Sequence, residues 1–239
     1  MSHGTAATPA WDEFASLLSA LDGGRTRHLP RSLSRRRPHP LMDDAPDFSA
    51  EAAAQAELEA LVLRARAGDT TAQETLIATY RRRLGGFVYG MLGDASHVDD
   101  LTQTVFVRIF LALDRLRDPA RFEAWLFKAA RNACLSHLRR ERFRRLFSPL
   151  SDREEEIAAS PTAAEAGPSD DLLLLRAALK TLPARDRALL LLVQDRETGY
   201  EHIAAEQGIT VGALKTRVHR AKALLRTRIE RMRHAQSQS

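Results

Sequence analysis

The stretch His97–Arg145, HVDDLTQTVFVRIFLALDRLRDPARFEAWLFKAARNACLSHLRRERFRR, decides the fold of this 239-residue chain. It predicts two amphipathic helices joined by a short turn at Asp118-Pro119, because apolar residues recur at steps of three and four. The first apolar stripe consists of Val98, Leu101, Val105, Ile109 and Leu113. The second consists of Trp125, Leu126, Ala129, Ala130, Ala133, Cys134 and His137. Since the stretch changes from acidic to basic along its length, we expect a protein-docking face on the first helix and a phosphate-facing surface on the second.

The composition predicts an all-α protein. Aromatic residues make up 6% and charged residues 28% of the chain, which suits helical bundles better than a β-sandwich. The formal charge is +5, and the basic residues are concentrated in Arg81–Arg83, Arg139–Arg145 and Lys215–Arg233. Acidic residues are concentrated instead between Asp152 and Asp171. This uneven distribution favours a polyanionic partner such as a nucleic acid.

Several classes of protein are disfavoured by what the sequence lacks. Its one cysteine, Cys134, cannot form an internal disulfide, and no Cys/His set has the spacing of a metal site. We therefore expect no metal, no cofactor and a reducing cytoplasm. No apolar run approaches the roughly 20 residues that cross a bilayer, so no membrane insertion is expected. Asp99-Asp100 and the scattered histidines have no partner at catalytic spacing, so we expect no enzymatic activity.

Glycine, proline and charge patterns divide the chain into five parts. These are a disordered extension (1–54), a four-helix domain (55–145), a flexible acidic linker (146–171), a helix-turn-helix domain (172–233) and a disordered tail (234–239). Met42 is an alternative start site. The extension is interpreted as dispensable or as a nucleic-acid-binding or partner-binding tail, and the linker as a solvated tether or a functional acidic segment.

Local signals place individual helix ends. In the four-helix domain a first helix is predicted over Glu57–Ala67, and Thr71 is predicted to cap a second one that ends at Gly93. In the last domain Thr198 and Glu201 form a capping-box pattern. Gly208 is predicted to make the tight turn and Thr210 to cap the helix that follows it.

Two sequence motifs carry a family resemblance. DDLTQTVFVRIF followed by FEAWLFKAARNACLSHLRR resembles the second region of bacterial sigma-70 initiation factors, in particular the extracytoplasmic-function (ECF) group. GYEHIAAEQGITVGALKTRVHRAKALLR, at Gly199–Arg226, resembles the helix-turn-helix of the fourth region. Both motifs occur in the order and spacing of that family, and the resemblance covers roughly Glu57–Arg233.

The resemblance implies a non-enzymatic, cytoplasmic specificity subunit of RNA polymerase. It implies binding to core polymerase through the β′ clamp and β flap, recognition of minus-10 and minus-35 promoter elements, help in DNA melting, and control by an anti-sigma protein. The acidic linker would thread toward the polymerase channels. The runner-up is a stand-alone helix-turn-helix regulator, which leaves the first motif unexplained, and an enzyme is a distant third possibility.

Site residues are carried over from the family motifs. Those implied for the minus-35 element are Lys215, Thr216, Arg217, His219, Arg220 and Lys222, of which Arg217 and Lys222 suit phosphates. Those implied for the minus-10 element are Arg117, Asp118, Phe122, Arg131, Asn132, Ser136, Arg139 and Arg140. Those implied for polymerase docking are Asp99, Asp100, Gln103, Phe106 and Arg108. Thr104 stands where the family usually has glutamate, and Trp125 is expected in the core more than against a base.

Overall fold

The computed structural model describes residues 48–147, 170–194 and 199–237, and within these ranges the chain consists of helices and turns. The first four helices are α1 (Phe48–Arg66), α2 (Thr70–Leu92), α3 (Val98–Leu111) and α4 (Phe122–Phe147). Two 3-10 turns, Leu113–Arg115 and Pro119–Arg121, connect α3 to α4. The last four are α5 (Asp170–Thr181), α6 (Ala184–Gln194), α7 (Tyr200–Gln207) and α8 (Val211–Gln236). The all-α prediction is confirmed.

Helices α1 to α4 pack into the first domain around their apolar stripes. Leu76, Leu84 and Met91 of α2, Ile109 of α3 and Leu126 of α4 are fully buried. Burying a side chain of this size stabilises the fold by about 1.5–3 kcal/mol. A bidentate ion pair adds a polar link, because Arg83 of α2 reaches both carboxylate oxygens of Glu123 at 3.1 and 2.8 Å. Glu123 lies in the first turn of α4, so this pair positions the start of that helix.

The cap of α2 differs from the prediction. Asp69, and not Thr71, is the N-cap residue, and its Oδ1 accepts a hydrogen bond from the Ala72 amide at 3.1 Å. Asp69 also pairs with Arg64 at 2.6 Å, which holds the pKa of its carboxyl below the usual range. A carboxylate is favoured over a hydroxyl here because it also interacts with the positive end of the helix dipole.

The first predicted helix was too short. Helix α1 begins at Phe48 rather than Glu57, so part of the predicted disordered extension is helical. The segment FSAEAAAQAE (48–57) lacks an apolar stripe but is rich in residues of high helix propensity. Such residues extend a helix whose carboxyl-terminal part, with Val62 and Ala65, is packed in the core. Helix α4 ends at Phe147 and α8 at Gln236. Met42, the rest of the extension, and most of the predicted linker lie outside the described residues.

The second domain contains the predicted helix-turn-helix. Helices α5 and α6 pack against α8, and α7 leads into α8 through Gly208, whose φ of 65° lies in the left-handed region that favours glycine. Thr210 caps α8 as predicted, accepting from the Ala213 amide at 3.2 Å. Gly199 is the N-cap residue of α7 and makes no side-chain cap bond. The predicted capping box depends on Thr198, which lies outside the described residues.

The two domains pack against each other. Arg187 of α6 is 6% exposed and donates to the carbonyl oxygen of Met91 at the end of α2, and also to the carbonyls of Lys180 and Leu182. Arg176 of α5 donates to the carbonyl of Gly93. The carbonyls at the carboxyl end of α2 would otherwise lack partners, so two arginines from the second domain complete that helix end.

None of the helices in the described residues is long and apolar enough to span a bilayer.

Candidate nucleic-acid and protein-docking surfaces

Helix α8 presents the predicted minus-35 residues on its outer side. Lys215, Thr216, Arg217, His219 and Arg220 are exposed, and Lys222 is half-buried. The opposite side packs into the domain through Leu214, Val218, Ala221 and Leu225. Their three- and four-residue spacing holds the helix by one face only, so the cationic residues between them point away from the body. An exposed helix of this shape fits the major groove of DNA.

Four of the predicted minus-10 residues on α4 lie on its exposed surface. Asn132, Ser136, Arg139 and Arg140 are all exposed. They share the helix with a buried side that includes Cys134, whose thiol has its pKa raised to about 12 by burial, against the opposing effect of Arg187. That thiol is protonated at neutral pH, so Cys134 acts as a core residue.

The loop before α4 contributes Arg117 and Asp118, which are both exposed. Asp118 has a structural role there, since its Oδ1 accepts from the Ala120 amide at 3.1 Å and caps the turn Pro119–Arg121. Its Oδ2 also lies 3.3 Å from Nε of Arg121. Arg117 is therefore better suited than Asp118 to contact DNA from this loop.

The structure contradicts the assignment of Phe122 to the minus-10 surface. Phe122 is 0% exposed, and its ring packs on Tyr80 with centroids 5.6 Å apart. Phe127, another ring near the start of α4, is 2% exposed and packs edge-on against Phe87. Both lie on the core side of α4 at its first two turns. Trp125 is half-buried and packs against the core, as predicted.

We expect Phe122→Leu to lower the free energy of unfolding by about 1–2 kcal/mol, because it removes buried carbon and leaves part of the ring volume empty. The DNA affinity of the folded variant should stay within about twofold of the parent affinity. If Phe122 stacked on a base, its loss would instead cost about 1–3 kcal/mol of binding free energy. Urea unfolding and DNA titration measure the two effects. Phe143→Leu, at a ring that is 64% exposed, is the matched control; a large loss of DNA binding in Phe122→Leu at unchanged stability would contradict this role.

Among the predicted minus-10 residues on α4, Arg131 is covered by the second domain. Its guanidinium lies 3.0 Å from Oε1 of Glu206 on α7, and the two side chains are 19% and 10% exposed. Burial raises the pKa of Glu206, although Arg131 and Lys128 oppose the shift. Arg131 can contact a phosphate or a base only after α7 has moved away from α4.

The predicted docking face on α3 is exposed at Asp99, Asp100, Gln103 and Arg108. Asp99 lies 4.0 Å from Arg81, but both side chains are 70% exposed, so this contact is weak. Phe106 was wrongly placed on this face. It is 5% exposed and stacks on Phe110 with centroids 6.2 Å apart. Phe106 is next to the buried Val105, and the apolar stripe of α3 is broad enough to include both residues.

Two apolar residues that the sequence analysis missed lie on this face. Val107 is 51% and Leu111 83% exposed. With Asp100 and Gln103 they follow steps of three, four and four, so one line of side chains runs along the outside of α3. An exposed apolar line beside carboxylates is typical of a protein interface. The spacing from Asp100 carries this signal in the sequence, but the sequence analysis assigned no role to Val107 or Leu111.

Comparison with known proteins matches the two domains separately. The family described as Sigma-70 region 2 matches residues 76–144, and the one described as Sigma-70, region 4 matches residues 172–225. The ECF RNA polymerase sigma factor SigF of Caulobacter vibrioides is 33% identical over 183 residues, which cover 76% of this chain and 97% of that protein.

Solved structures show the same fold. CnrH, in a complex with the cytosolic domain of CnrY, superposes with a TM-score of 0.54 at 25% identity, covering 72% of this chain and 97% of that one. The sigma factor RpoE of Bartonella quintana, in a complex with the anti-sigma factor NepR, superposes with a TM-score of 0.50 at 23% identity, covering 66% of this chain and 96% of that one.

Proposed function

This chain belongs to the sigma-70 family of RNA polymerase sigma factors, in its ECF group, and we propose that it directs promoter-specific transcription initiation through the surfaces described above. The observation that supports this most is the coexistence of two separate surfaces: a cationic recognition helix in one domain, and an acidic-apolar docking face together with a basic helix in the other. A stand-alone regulator would need only the first of these.

The docking surface of this proposal is Asp99, Asp100, Gln103, Val107, Arg108 and Leu111. Val107 and Leu111 take the place of the buried Phe106, and they supply the apolar contact area that two carboxylates alone would lack. Its partner is the β′ clamp of core polymerase, while region 4 is assigned to the β flap. Since core polymerase and its promoters occupy the cytoplasm, the chain acts there, as a specificity subunit and not as an enzyme.

DNA contact is divided between the two domains. Lys215, Thr216, His219 and Arg220 read bases of the minus-35 element, because lysine and arginine form good contacts to guanine in the major groove. Arg217 and Lys222 contact phosphates, which position the helix. Asn132, Ser136, Arg139 and Arg140 contact the minus-10 element, with Arg117 from the preceding loop and with Arg131 once it is released from Glu206.

The closed packing of the two domains cannot engage both elements at once. Elements about 25 base pairs apart are separated by about 85 Å of DNA, at about 3.4 Å per base pair. Lys215 follows Glu206, the partner of Arg131, by nine residues, which span at most about 32 Å. The domains must therefore separate before the chain occupies a promoter.

We expect Arg187→Met to open this arrangement. The change removes a buried guanidinium that bonds three carbonyls, at a cost of about 1–3 kcal/mol, which shifts the balance between closed and open forms by about 5- to 150-fold. Spin labels at Asp114→Cys and Arg231→Cys report the distance between domains, and the buried Cys134 should not react with the label. Pulsed electron resonance should show a longer, broader distance distribution in Arg187→Met.

The matched control is Arg185→Met, which replaces an exposed arginine two positions away on the same helix. It should keep the distribution of the parent protein. If Arg187→Met also keeps a single short distance while the chain remains folded, Arg187 does not hold the domains together.

An anti-sigma protein is the proposed inhibitor of this chain. CnrH and RpoE, which share the fold, were solved with CnrY and with NepR. A partner that covers α3 or stabilises the contact between α7 and α4 would block polymerase docking or keep Arg131 paired with Glu206. Both effects prevent initiation without any change in the recognition helix α8.

Binding to core polymerase tests the proposed function. Size-exclusion chromatography of the purified chain with core enzyme should show a one-to-one complex, and the same mixture should bind promoter DNA more tightly than either component alone. A chain that binds specific duplex DNA but never migrates with core polymerase would support the stand-alone regulator instead.

A further inference from the structure

Two histidines and a glutamate meet where the start of α3 lies against α4. The rings of His97 and His137 have centroids 4.8 Å apart, and Nε2 of His137 lies 3.6 Å from Oε1 of Glu141. One possible ligand atom from each residue lies within 4.8 Å of the other two. All three are partly buried, with the side chains of His137 and Glu141 14% and 20% exposed.

The backbone explains how this cluster forms. His137 and Glu141 are four residues apart on α4, so they lie on one face of the helix. His97 precedes the first residue of α3 and makes no side-chain cap bond there, which leaves its ring free to face α4. His97 and His137 are 40 positions apart in the sequence, which explains why spacing along the chain predicted no metal site.

The ring of His97 is held by a chain of hydrogen bonds. Ser96 Oγ donates to Oδ1 of Asp94 at 2.6 Å and lies 2.8 Å from Nδ1 of His97. The Ser96 hydroxyl can then accept from Nδ1–H, a tautomer that leaves Nε2 of His97 available. Ligating histidines in metal sites commonly have their second nitrogen bonded toward a carboxylate in this way.

An ordinary helix-surface ion pair explains only part of the cluster. A His–Glu pair at four-residue spacing is common, but it does not require a second imidazole against the first.

We propose that His97, His137 and Glu141 bind a divalent transition-metal ion, with Zn²⁺ as the best-matched species. Two imidazoles and one carboxylate form a common zinc ligand set, and a tetrahedral site at bond lengths near 2.1 Å places ligand atoms about 3.4 Å apart. The observed separations need side-chain shifts of about 1 Å. A water molecule would complete a tetrahedral site. Arg144, whose Nη2 lies 3.5 Å from Glu141 Oε1, is 64% exposed and can move aside.

The bound ion would connect the two working surfaces of the first domain. It would fix the start of α3, which carries Asp99 and Asp100, to the part of α4 that carries Ser136, Arg139 and Arg140. This consequence rests on the proposed function, whereas metal binding by the three side chains does not. The ion would therefore fix the angle between α3 and α4.

The experiment is a titration of the full chain, freed of metal by chelator, with Zn²⁺ alone in competition with a chromogenic indicator. Loss of an outer-shell partner already costs about 10- to 100-fold in metal affinity, so we expect His137→Asn and His97→Asn each to weaken the tightest site by at least about 100-fold. Glu141→Gln, which keeps the side-chain shape, should weaken it at least about tenfold. Co²⁺ should give the visible spectrum of a tetrahedral site in the parent only.

His234→Asn is the matched control, since it removes an exposed histidine of α8 that belongs to no proposed site and should keep the parent zinc affinity. Circular dichroism establishes that each variant is folded, and if His137→Asn unfolds, His97→Asn and Glu141→Gln decide the question. Zinc affinity in these variants equal to that of the parent would overturn the proposal. Failure of the chain to bind core polymerase would leave the zinc titration unaffected, so failures of the two proposals are distinguishable.

Discussion

Replacing both Lys215 and Arg220 by alanine should lower the affinity of the chain for its minus-35 DNA by at least about 30-fold. Each good contact between a basic side chain and a guanine contributes about 1–3 kcal/mol of discrimination, and the two residues lie on the exposed side of α8. A DNA sequence obtained by selection with the parent protein, and the same sequence scrambled, allow the specific part to be measured by fluorescence anisotropy.

The stability of the double variant should not change, because neither side chain belongs to the packed face that contains Leu214 and Val218. Arg231→Ala is the matched control: it removes an exposed arginine further along the same helix. Arg217→Ala has a different expected signature, in which binding to both DNA sequences weakens equally and the salt dependence becomes shallower. Equal weakening of selected and scrambled DNA in the Lys215/Arg220 variant would mean that these residues contact phosphates only.

The second large effect is expected at the docking face, where Asp100→Arg should reduce affinity for core polymerase by at least about 100-fold. A polymerase surface that binds a carboxylate carries positive charge, and placing the positive charge of an arginine against it costs several kcal/mol. The effect on folding should be small, since an acid in the first turn of a surface helix contributes about 0.3–1 kcal/mol through the helix dipole. Fluorescence titration of labelled chain with core enzyme measures the affinity.

Asp114→Arg provides the control, because it reverses an exposed acid of the same domain beyond the end of α3. It should bind core polymerase like the parent. Val107→Ser tests the apolar part of the same face and should weaken binding by about 1–2 kcal/mol through lost burial. If Asp114→Arg and Asp100→Arg reduce the affinity for core polymerase by the same factor, the effect comes from net charge and not from a docking surface on α3.

The helices could be predicted from the sequence because their signals are local. The stripe of α3, the turn at Gly208 and the cap at Thr210 all depend on residues within a few positions of one another. The N-cap residue of α2 was misassigned to Thr71. Thr71 and Asp69 both lie at the start of the helix, and only the structure shows that an Asp69 oxygen accepts the hydrogen bond from the Ala72 amide.

The side-chain assignments were harder where two helices meet. Phe106 and Phe122 lie next to the apolar stripes of their helices, and only the packing of Phe122 against Tyr80 shows that this ring is in the core. Likewise, Arg131 carries the same sequence signal as Arg139, but Glu206 of the other domain covers one and not the other. Pairings across long sequence separations have no periodic signature, so the sequence could not reveal them.

The most direct test of the central claim is run-off transcription with purified core polymerase and a library of genomic promoter fragments. The parent chain should produce transcripts from specific start sites that share minus-10 and minus-35 elements. Asp100→Arg and the Lys215/Arg220 double variant should each abolish these transcripts, while Asp114→Arg and Arg231→Ala keep them. If the parent chain binds DNA but core polymerase starts no specific transcript in its presence, the chain does not act as a sigma factor.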